Sequence, residues 1–105
     1  MEGVHNSSMK RNYELAVVVR IDSTEEALNE VVNQVQSWVV GDNVGAVTKV
    51  DRWGRRKLAY EINNQREGYY VLMNAEIDTN NLPELERNLK LSTSILRYLI
   101  VRADE

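Results

Sequence analysis

The side chains best suited to binding chemistry lie in one short basic run. Six consecutive residues place four cations around a tryptophan and a glycine: Arg52, Trp53, Gly54, Arg55, Arg56 and Lys57. The segment 49–66 carries six basic and two acidic side chains, a local charge of +4, whereas the whole chain carries −3. Clustered cations beside aromatic rings are typical of surfaces that bind a polyanion, and RNA fits this pattern best. The alternative is a strand whose charged face is only solvated.

Catalytic chemistry has little support in the sequence. The only histidine is His5, so a Ser/His/Asp triad or a histidine-ligated metal site would lack its central member. No cysteine is available as a nucleophile, a thiolate ligand or a disulfide partner. The five glycines are scattered and match neither phosphate-binding loop motif. We therefore predict a protein that is not an enzyme and has no catalytic residue, cofactor or metal ligand.

Length, composition and net charge limit the class of protein. The 105 residues suffice for one domain, and 43% hydrophobic with 28% charged residues is ordinary for a soluble globular protein. No apolar run approaches the ~20 residues of a membrane span, and residues 1–8 lack the apolar stretch of a secretory signal. We expect a flexible N-terminal arm over residues 1–8 and one domain over residues 9–103. Because the net charge is acidic, RNA binding requires a local patch or a more basic partner.

The first part of the chain reads as a strand followed by a helix. From residue 12 to residue 21, apolar side chains alternate with polar or smaller ones, which is the period of a β-strand. The second face of this strand is partly apolar too, which is typical of a strand that is central or meets a partner. Ser23 is the expected cap of the helix, Glu26 completes a capping box, and Gly41 is expected to end the helix.

The remaining pattern predicts two long strands, a second helix and a last strand. The expected elements are a strand over 44–62, a turn over 63–68, a strand over 69–77, a helix from residue 80 or 81, and a strand over 95–101. Gly54 marks a bulge or bend within the first of these strands. Pro83 lies in the first turn of the helix, where its missing N–H is tolerated.

This order of elements consists of two βαβ-like halves. Right-handed crossovers then favour an α+β fold, the ferredoxin-like βαββαβ sandwich, with a four-stranded antiparallel sheet and both helices on one face. The other face has no cover of its own and is expected to expose Ala16, Val18, Tyr70 and Leu72. An uncovered apolar sheet face is a common site for RNA bases or for another protein.

An aromatic RNA-recognition sheet is a rival interpretation of the same fold. Its signature places basic-Gly-aromatic-Gly-aromatic residues on the third strand, whereas residues 68–74 read Gly-Tyr-Tyr-Val-Leu-Met-Asn. The second glycine and the spaced aromatics are missing, and the chain contains no phenylalanine. Base stacking on the sheet is therefore disfavoured, although Tyr70 alone could stack. Tyr69 is expected to pack in the core.

Several stretches resemble one protein family. Residues 54–63, Gly-Arg-Arg-Lys-Leu-Ala-Tyr-Glu-Ile-Asn, closely resemble the signature of the sixth protein of the bacterial small ribosomal subunit. Further stretches look like that family's Arg-x-Tyr-Glu opening, its third-strand start and its passage from the last helix to the last strand: residues 9–14, 68–70 and 89–102. The resemblance covers about residues 9–103. It leaves residues 1–8 as either a real extension or a misassigned upstream start.

The resemblance implies the same fold and a structural role on the ribosome, in the cytoplasm. In this family the protein pairs with the basic eighteenth protein of the small subunit, and the pair binds the central domain of 16S ribosomal RNA during 30S assembly. An acidic chain that relies on a basic partner to neutralise phosphate fits such a pairing. We expect neither DNA nor a membrane among the partners.

Residue roles follow from the resemblance together with the basic run. The expected RNA contacts are Arg55, Arg56 and Lys57, followed by Arg11, Tyr13, Lys90 and Arg97. The expected contacts with the partner protein are Arg52, Trp53, Tyr60 and Tyr70. For any one of them the alternative is an ordinary solvated or packed side chain. For the whole chain the alternative is a ferredoxin-like protein-interaction or small-ligand regulatory module with no RNA role.

Overall fold

The elements follow one another in the predicted order. The structure, a computed structural model, describes residues 10–21, 24–41 and 45–103. Its elements are β1 (Lys10–Arg20), α1 (Glu25–Val40), β2 (Gly45–Ile62), β3 (Gln65–Asp78), α2 (Leu82–Leu91) and β4 (Ile95–Arg102), with a short 3₁₀ turn at Thr79–Asn81 before α2. The strands form one sheet in the order β2-β3-β1-β4, and every neighbouring pair is antiparallel. This confirms the predicted ferredoxin-like α+β sandwich.

The core lies between the sheet and the two helices. On β1, Leu15, Val17 and Val19 are buried together, as the alternation of the sequence predicts. They share one hydrophobic cluster with α1, α2 and β3, to which the helices contribute Leu28, Val32, Val35, Val39, Leu85 and Leu89. Both helices therefore cover the same face of the sheet. We call the opposite face the outer face.

The N-terminus of α1 is capped one residue later than expected. Ser23, the predicted cap, lies outside the described residues. The cap is Thr24, whose backbone is extended and whose Oγ1 accepts a hydrogen bond from the Ala27 amide at 3.1 Å. At the other end Gly41 follows the last helical residue, as predicted, and its amide donates to the Ser37 carbonyl at 2.9 Å.

The β2–β3 hairpin is longer and its turn is shorter than predicted. Ile62 pairs directly with Gln65, so the turn consists of Asn63 and Asn64 alone. Both have positive φ, 51° and 65°, which is the backbone of a two-residue hairpin turn whose twist matches the strands. The prediction of a turn over 63–68 is therefore wrong beyond residue 64, because two asparagines are enough to reverse the chain.

The pairing of β2 with β3 is interrupted three times. The register shifts between Val47 and Lys49, between Arg52 and Gly54, and between Lys57 and Ile62. Gly54 has a φ of 89°, which confirms the predicted bulge and explains the glycine there. These shifts bend the basic run out of a regular ladder.

Candidate RNA- and protein-binding surface

The basic run lies at the end of the β2–β3 hairpin. We call residues 54–68 the hairpin tip. Within it the ladder is regular from Gly54 to Lys57 and then skips to Ile62, which leaves residues 58–61 as an arch opposite Arg66. An irregular stretch of this kind changes the direction of its side chains. The arch therefore determines where Leu58, Ala59 and Tyr60 point.

Two of the four cations of the run are occupied by neighbours in this chain. The Arg52 guanidinium donates a hydrogen bond to the Asn29 side-chain oxygen on α1. Arg55 forms an ion pair with Glu67 on β3, with Nη1 and Oε1 3.6 Å apart. Glu67 lies just past the segment that was counted as +4, so the net positive charge at the hairpin tip is smaller than expected. An uninterrupted register from the two-residue turn would place Glu67 opposite Tyr60, so the approach of this carboxylate to Arg55 depends on the interrupted ladder.

The other two cations form no ion pair among the described residues, although Lys57 lies across the ladder from Glu67. Arg56 is exposed, and its guanidinium lies 5.7 Å from the centroid of the Trp53 ring, which is itself 53% exposed. Lys57 is exposed as well, and no ion pair involves it or Arg56 among the residues that the structure describes. Farther along the tip, Arg66 pairs with Glu61 at 3.1 Å. Arg56 and Lys57 are therefore the two cations of the run best placed to receive phosphate.

The hairpin tip reaches the far edge of the sheet through Tyr60. Arg97 Nη1, on β4, donates a hydrogen bond to the Tyr60 hydroxyl at 3.0 Å, and its guanidinium carbon lies 5.8 Å from the ring centroid. Because β2 and β4 are the two edge strands, this contact requires the tip to extend across the outer face. Tyr60 was expected to contact a partner protein and Arg97 to contact RNA, and the structure brings the two together.

A shallow groove lies beside this contact on the outer face. It has a volume of about 200 Å³ and is lined by Ala16, Val18, Tyr70, Arg97, Tyr98 and Leu99. Leu99 and Val101 are exposed on β4 next to it. Tyr70, an expected partner contact, is half-buried in the groove. The groove is thus mostly apolar, with one cation at its rim.

Val18 is less accessible than the sequence predicts. It was expected to be exposed on the outer face, yet it is only 8% exposed. A Cβ added to Gly68 would overlap Val18 Cγ1 and would lie 3.5 Å from Leu58 Cδ2. Val18 and Leu58 therefore both lie next to Gly68, and the missing side chain of Gly68 leaves room for Val18 Cγ1.

The remaining predicted RNA contacts lie elsewhere. Tyr13 is 7% exposed and belongs to the core cluster, so its position does not fit the predicted RNA contact. Arg11 is half-buried at the start of β1, opposite Ile77. Lys90 is exposed in the last turn of α2, and it lines a hollow between α2 and β4 together with Arg97.

One tyrosine near this hollow has a perturbed acidity. Burial raises the pKa of Tyr98 above its ordinary value, and the nearby Glu86 carboxylate raises it further. The Tyr98 hydroxyl donates to Glu86 Oε1 at 3.4 Å, which also favours the protonated phenol. Tyr98 is therefore a neutral hydrogen-bond donor at physiological pH and not a proton-transfer group.

Groups for metal binding or membrane insertion are not found in the described part of the chain. Residues 10–21, 24–41 and 45–103 contain no group of three or more histidine, cysteine or acidic side chains placed to hold a metal ion. Neither α1 nor α2 has the length and apolar character needed to cross a membrane. The positions that stand out for binding are the hairpin tip and the groove.

A basic hairpin tip above an open apolar sheet face is typical of small proteins that bind RNA and other proteins. Comparison with known proteins identifies the family within that class. The family model described as ribosomal protein S6 matches residues 12–102. The chain belongs to the ribosomal protein S6 family, and it is a small-subunit ribosomal protein.

Individual relatives agree over nearly the whole chain. The small ribosomal subunit protein bS6 of Moorella thermoacetica is 44% identical over 95 residues, covering 90% of this chain and 96% of that protein. The protein of the same name from Clostridioides difficile is 43% identical over 93 residues, covering 89% and 99%. The crystal structure of 30S ribosomal protein S6 from Thermotoga maritima superposes with a TM-score of 0.83 at 32% identity, covering 90% and 89%.

These findings confirm the predicted family, the fold class and a place on the ribosome in the cytoplasm. The related proteins are ribosomal proteins of the small subunit, and the absence of enzymatic activity stays a prediction for this chain. The residues that contact RNA and the partner protein stay predictions, as do the domain boundaries at residues 8 and 103.

Proposed function

We propose that this chain binds the central domain of 16S ribosomal RNA during 30S assembly as one half of a pair with the eighteenth protein of the small subunit. The observation that carries the proposal is the pair of exposed cations Arg56 and Lys57, which form no ion pair with any described residue, in a chain of net charge −3. The chain's overall acidity opposes RNA binding, so a basic partner would have to supply further neutralisation.

The hairpin tip and the groove would bind different partners. Arg56 and Lys57 would contact phosphate, with Arg55 engaged part of the time because its ion pair with Glu67 is exposed and therefore weak. The groove would take side chains of the partner protein around Tyr70, and Trp53 would extend this contact along β2. Arg52 is less available, because it is hydrogen-bonded to Asn29.

The test is reconstitution with the purified partner and a central-domain RNA fragment while the salt concentration is varied. We expect salt-sensitive RNA binding that requires the partner. Each of Arg56→Gln and Lys57→Gln should reduce the slope of log K against log salt by about 0.7–0.9, the value for one lost phosphate contact. Arg87→Gln is the matched control, since it removes an exposed cation from α2 and leaves the outer face unchanged.

Two results would contradict the proposal. Unchanged slopes in both hairpin-tip variants would show that these cations do not contact phosphate. Failure of the chain to enter 30S particles in the presence of the partner would refute the assembly role and would favour a protein-interaction module without RNA.

A further inference from the structure

We propose that Tyr60 and Arg97 are positioning residues: together they hold the hairpin tip across the outer face and so fix where Arg56 and Lys57 stand. The effect on RNA binding rests on the proposed function, whereas the position of the tip does not. The starting observation is that the Arg97 guanidinium contacts Tyr60 in two ways. It donates a 3.0 Å hydrogen bond to the Tyr60 hydroxyl, and its carbon lies 5.8 Å from the centroid of the Tyr60 ring.

The hairpin tip needs such a contact because its own strand pairing is incomplete. Between Lys57 and Ile62 the β2–β3 ladder is interrupted, so residues 58–61 are not held by regular backbone hydrogen bonds to β3. A bulged stretch at the end of a hairpin has several accessible directions unless side chains select one. Apart from the ion pair of Glu61 with Arg66, which stays within the hairpin tip, two contacts of the arch stand out among the described residues: Leu58 beside Gly68 and Tyr60 on Arg97.

The Leu58 contact and the Tyr60 contact fix different parts of the arch. Leu58 lies at the root of the arch, close to Gly68 and Val18, and fixes only where the arch begins. Tyr60 is farther along and reaches a strand at the other edge of the sheet. It therefore sets the direction of the whole tip relative to β4, and with it the separation between the phosphate-binding cations and the groove.

This role changes the expectation for Arg97. If Arg97 contacted phosphate, its charge would be what matters and Tyr60 would be irrelevant to RNA affinity. If Arg97 acts through Tyr60, removing the ring should have the same effect as removing the guanidinium, although it removes no charge. The two explanations therefore predict different RNA affinities for the variant Tyr60→Leu: unchanged if Arg97 contacts phosphate, and lowered if Arg97 acts through Tyr60.

The first measurement is the position of the tip in the free protein. The natural chain has no cysteine, so spin labels can be attached uniquely at Ala59→Cys on the tip and Asn33→Cys on α1, both of which are exposed. We expect one narrow distance distribution in the labelled parent. Tyr60→Leu and Arg97→Met should each shift the balance toward a second, broader population by about fivefold, as expected for an exposed cation–π and hydrogen-bond contact.

Conservative variants and a control sharpen this measurement. Tyr60→Phe keeps the ring, and Arg97→Lys keeps a cation over it, so each should restore part of the parent distribution. The double variant Tyr60→Leu/Arg97→Met should broaden no further than either single variant, because both remove one shared contact. Arg87→Gln should leave the distribution unchanged.

The second measurement is RNA binding in the reconstituted pair. Tyr60→Leu should lower the affinity while leaving the salt slope intact, since it misplaces cations without removing one. Distance distributions identical to the parent in both Tyr60→Leu and Arg97→Met would overturn the proposal, whatever the RNA result. Displaced tips combined with no RNA binding even by the parent would instead refute the proposed function and leave the positioning contact established.

Discussion

Replacing Gly68 with alanine tests the packing beneath the hairpin tip. The added Cβ would overlap Val18 Cγ1, and it would lie 3.5 Å from Leu58 Cδ2 and 3.7 Å from the Val19 carbonyl oxygen. Val18 is buried and β-branched, so it cannot rotate away without leaving its preferred rotamer. We therefore expect Gly68→Ala to lower the free energy of unfolding by about 1–3 kcal/mol, the usual range for overpacking a buried site.

A double variant tests whether Val18 is the residue that the added methyl group of Gly68→Ala overlaps. Val18→Ala alone should lower the free energy of unfolding by roughly 1–2 kcal/mol, because two buried methyl groups are lost at about 0.8 kcal/mol each. In Val18→Ala/Gly68→Ala the new methyl group enters the space that Val18 Cγ1 has left. The double variant should therefore be more stable than the sum of the two single effects predicts, by about 1 kcal/mol or more.

The assay is urea unfolding followed by the fluorescence of the two tryptophans, with the free energy taken from the midpoint at constant slope. Gly54→Ala is the matched control. It forces alanine into a φ of 89° with no atom within 4 Å of the new Cβ, so it should lower stability by ~1–2 kcal/mol through backbone strain alone. It should show no coupling to Val18→Ala. Additive effects of Gly68→Ala and Val18→Ala, to within about 0.5 kcal/mol, would refute the proposed close approach.

Four further predictions concern the helices and β4. Thr24→Ala removes the cap of α1 and should lower the free energy of unfolding by ~1 kcal/mol in the same assay, whereas an unchanged value would show that the cap hydrogen bond does not contribute. Leu85→Ala should cost about 2–5 kcal/mol because Leu85 is fully buried, and Leu91→Ala, at a site 72% exposed, should cost under about 0.5 kcal/mol; similar values would contradict the packing of α2. Glu86→Gln should lower the pKa of Tyr98 toward 10.0 in a tyrosinate absorbance titration without reaching it, since burial is the larger cause. In the parent protein stability should fall as the pH rises above 10.0, because Tyr98 ionises at lower pH in the unfolded chain than in the folded one.

The alternation of apolar residues carried most of the fold prediction. It correctly placed Leu15, Val17 and Val19 on the helix-covered face of β1. The same period puts Tyr13 on that face, two residues before Leu15, and Tyr13 is indeed in the core. The RNA contact predicted for Tyr13 came from its place in a family motif, and the strand period was the better guide to where its side chain lies.

Features that depend on how strands bend could not be predicted in this way. Tyr60 and Arg97 are 37 residues apart and lie on strands at opposite edges of the sheet, so no sequence period relates them. Their contact follows from the interrupted ladder after Lys57, and no glycine marks that register shift in the sequence, because Gly54 belongs to the earlier shift after Arg52. The charge of the basic run was readable from the sequence, but the pairing of Arg55 with Glu67 required the hairpin register.

The central place of β1 in the sheet has a consequence for how the protein folds. Of the four described strands β1 is synthesised first, yet both of its neighbours, β3 and β4, come much later in the chain. Until they emerge, a strand that is largely apolar has two unpaired edges, which exposes the nascent chain to aggregation. The sheet therefore closes by long-range pairing, and such topologies fold on the slower timescale of milliseconds to seconds. The first described strand of the protein is therefore paired on both edges only after the last one has been made.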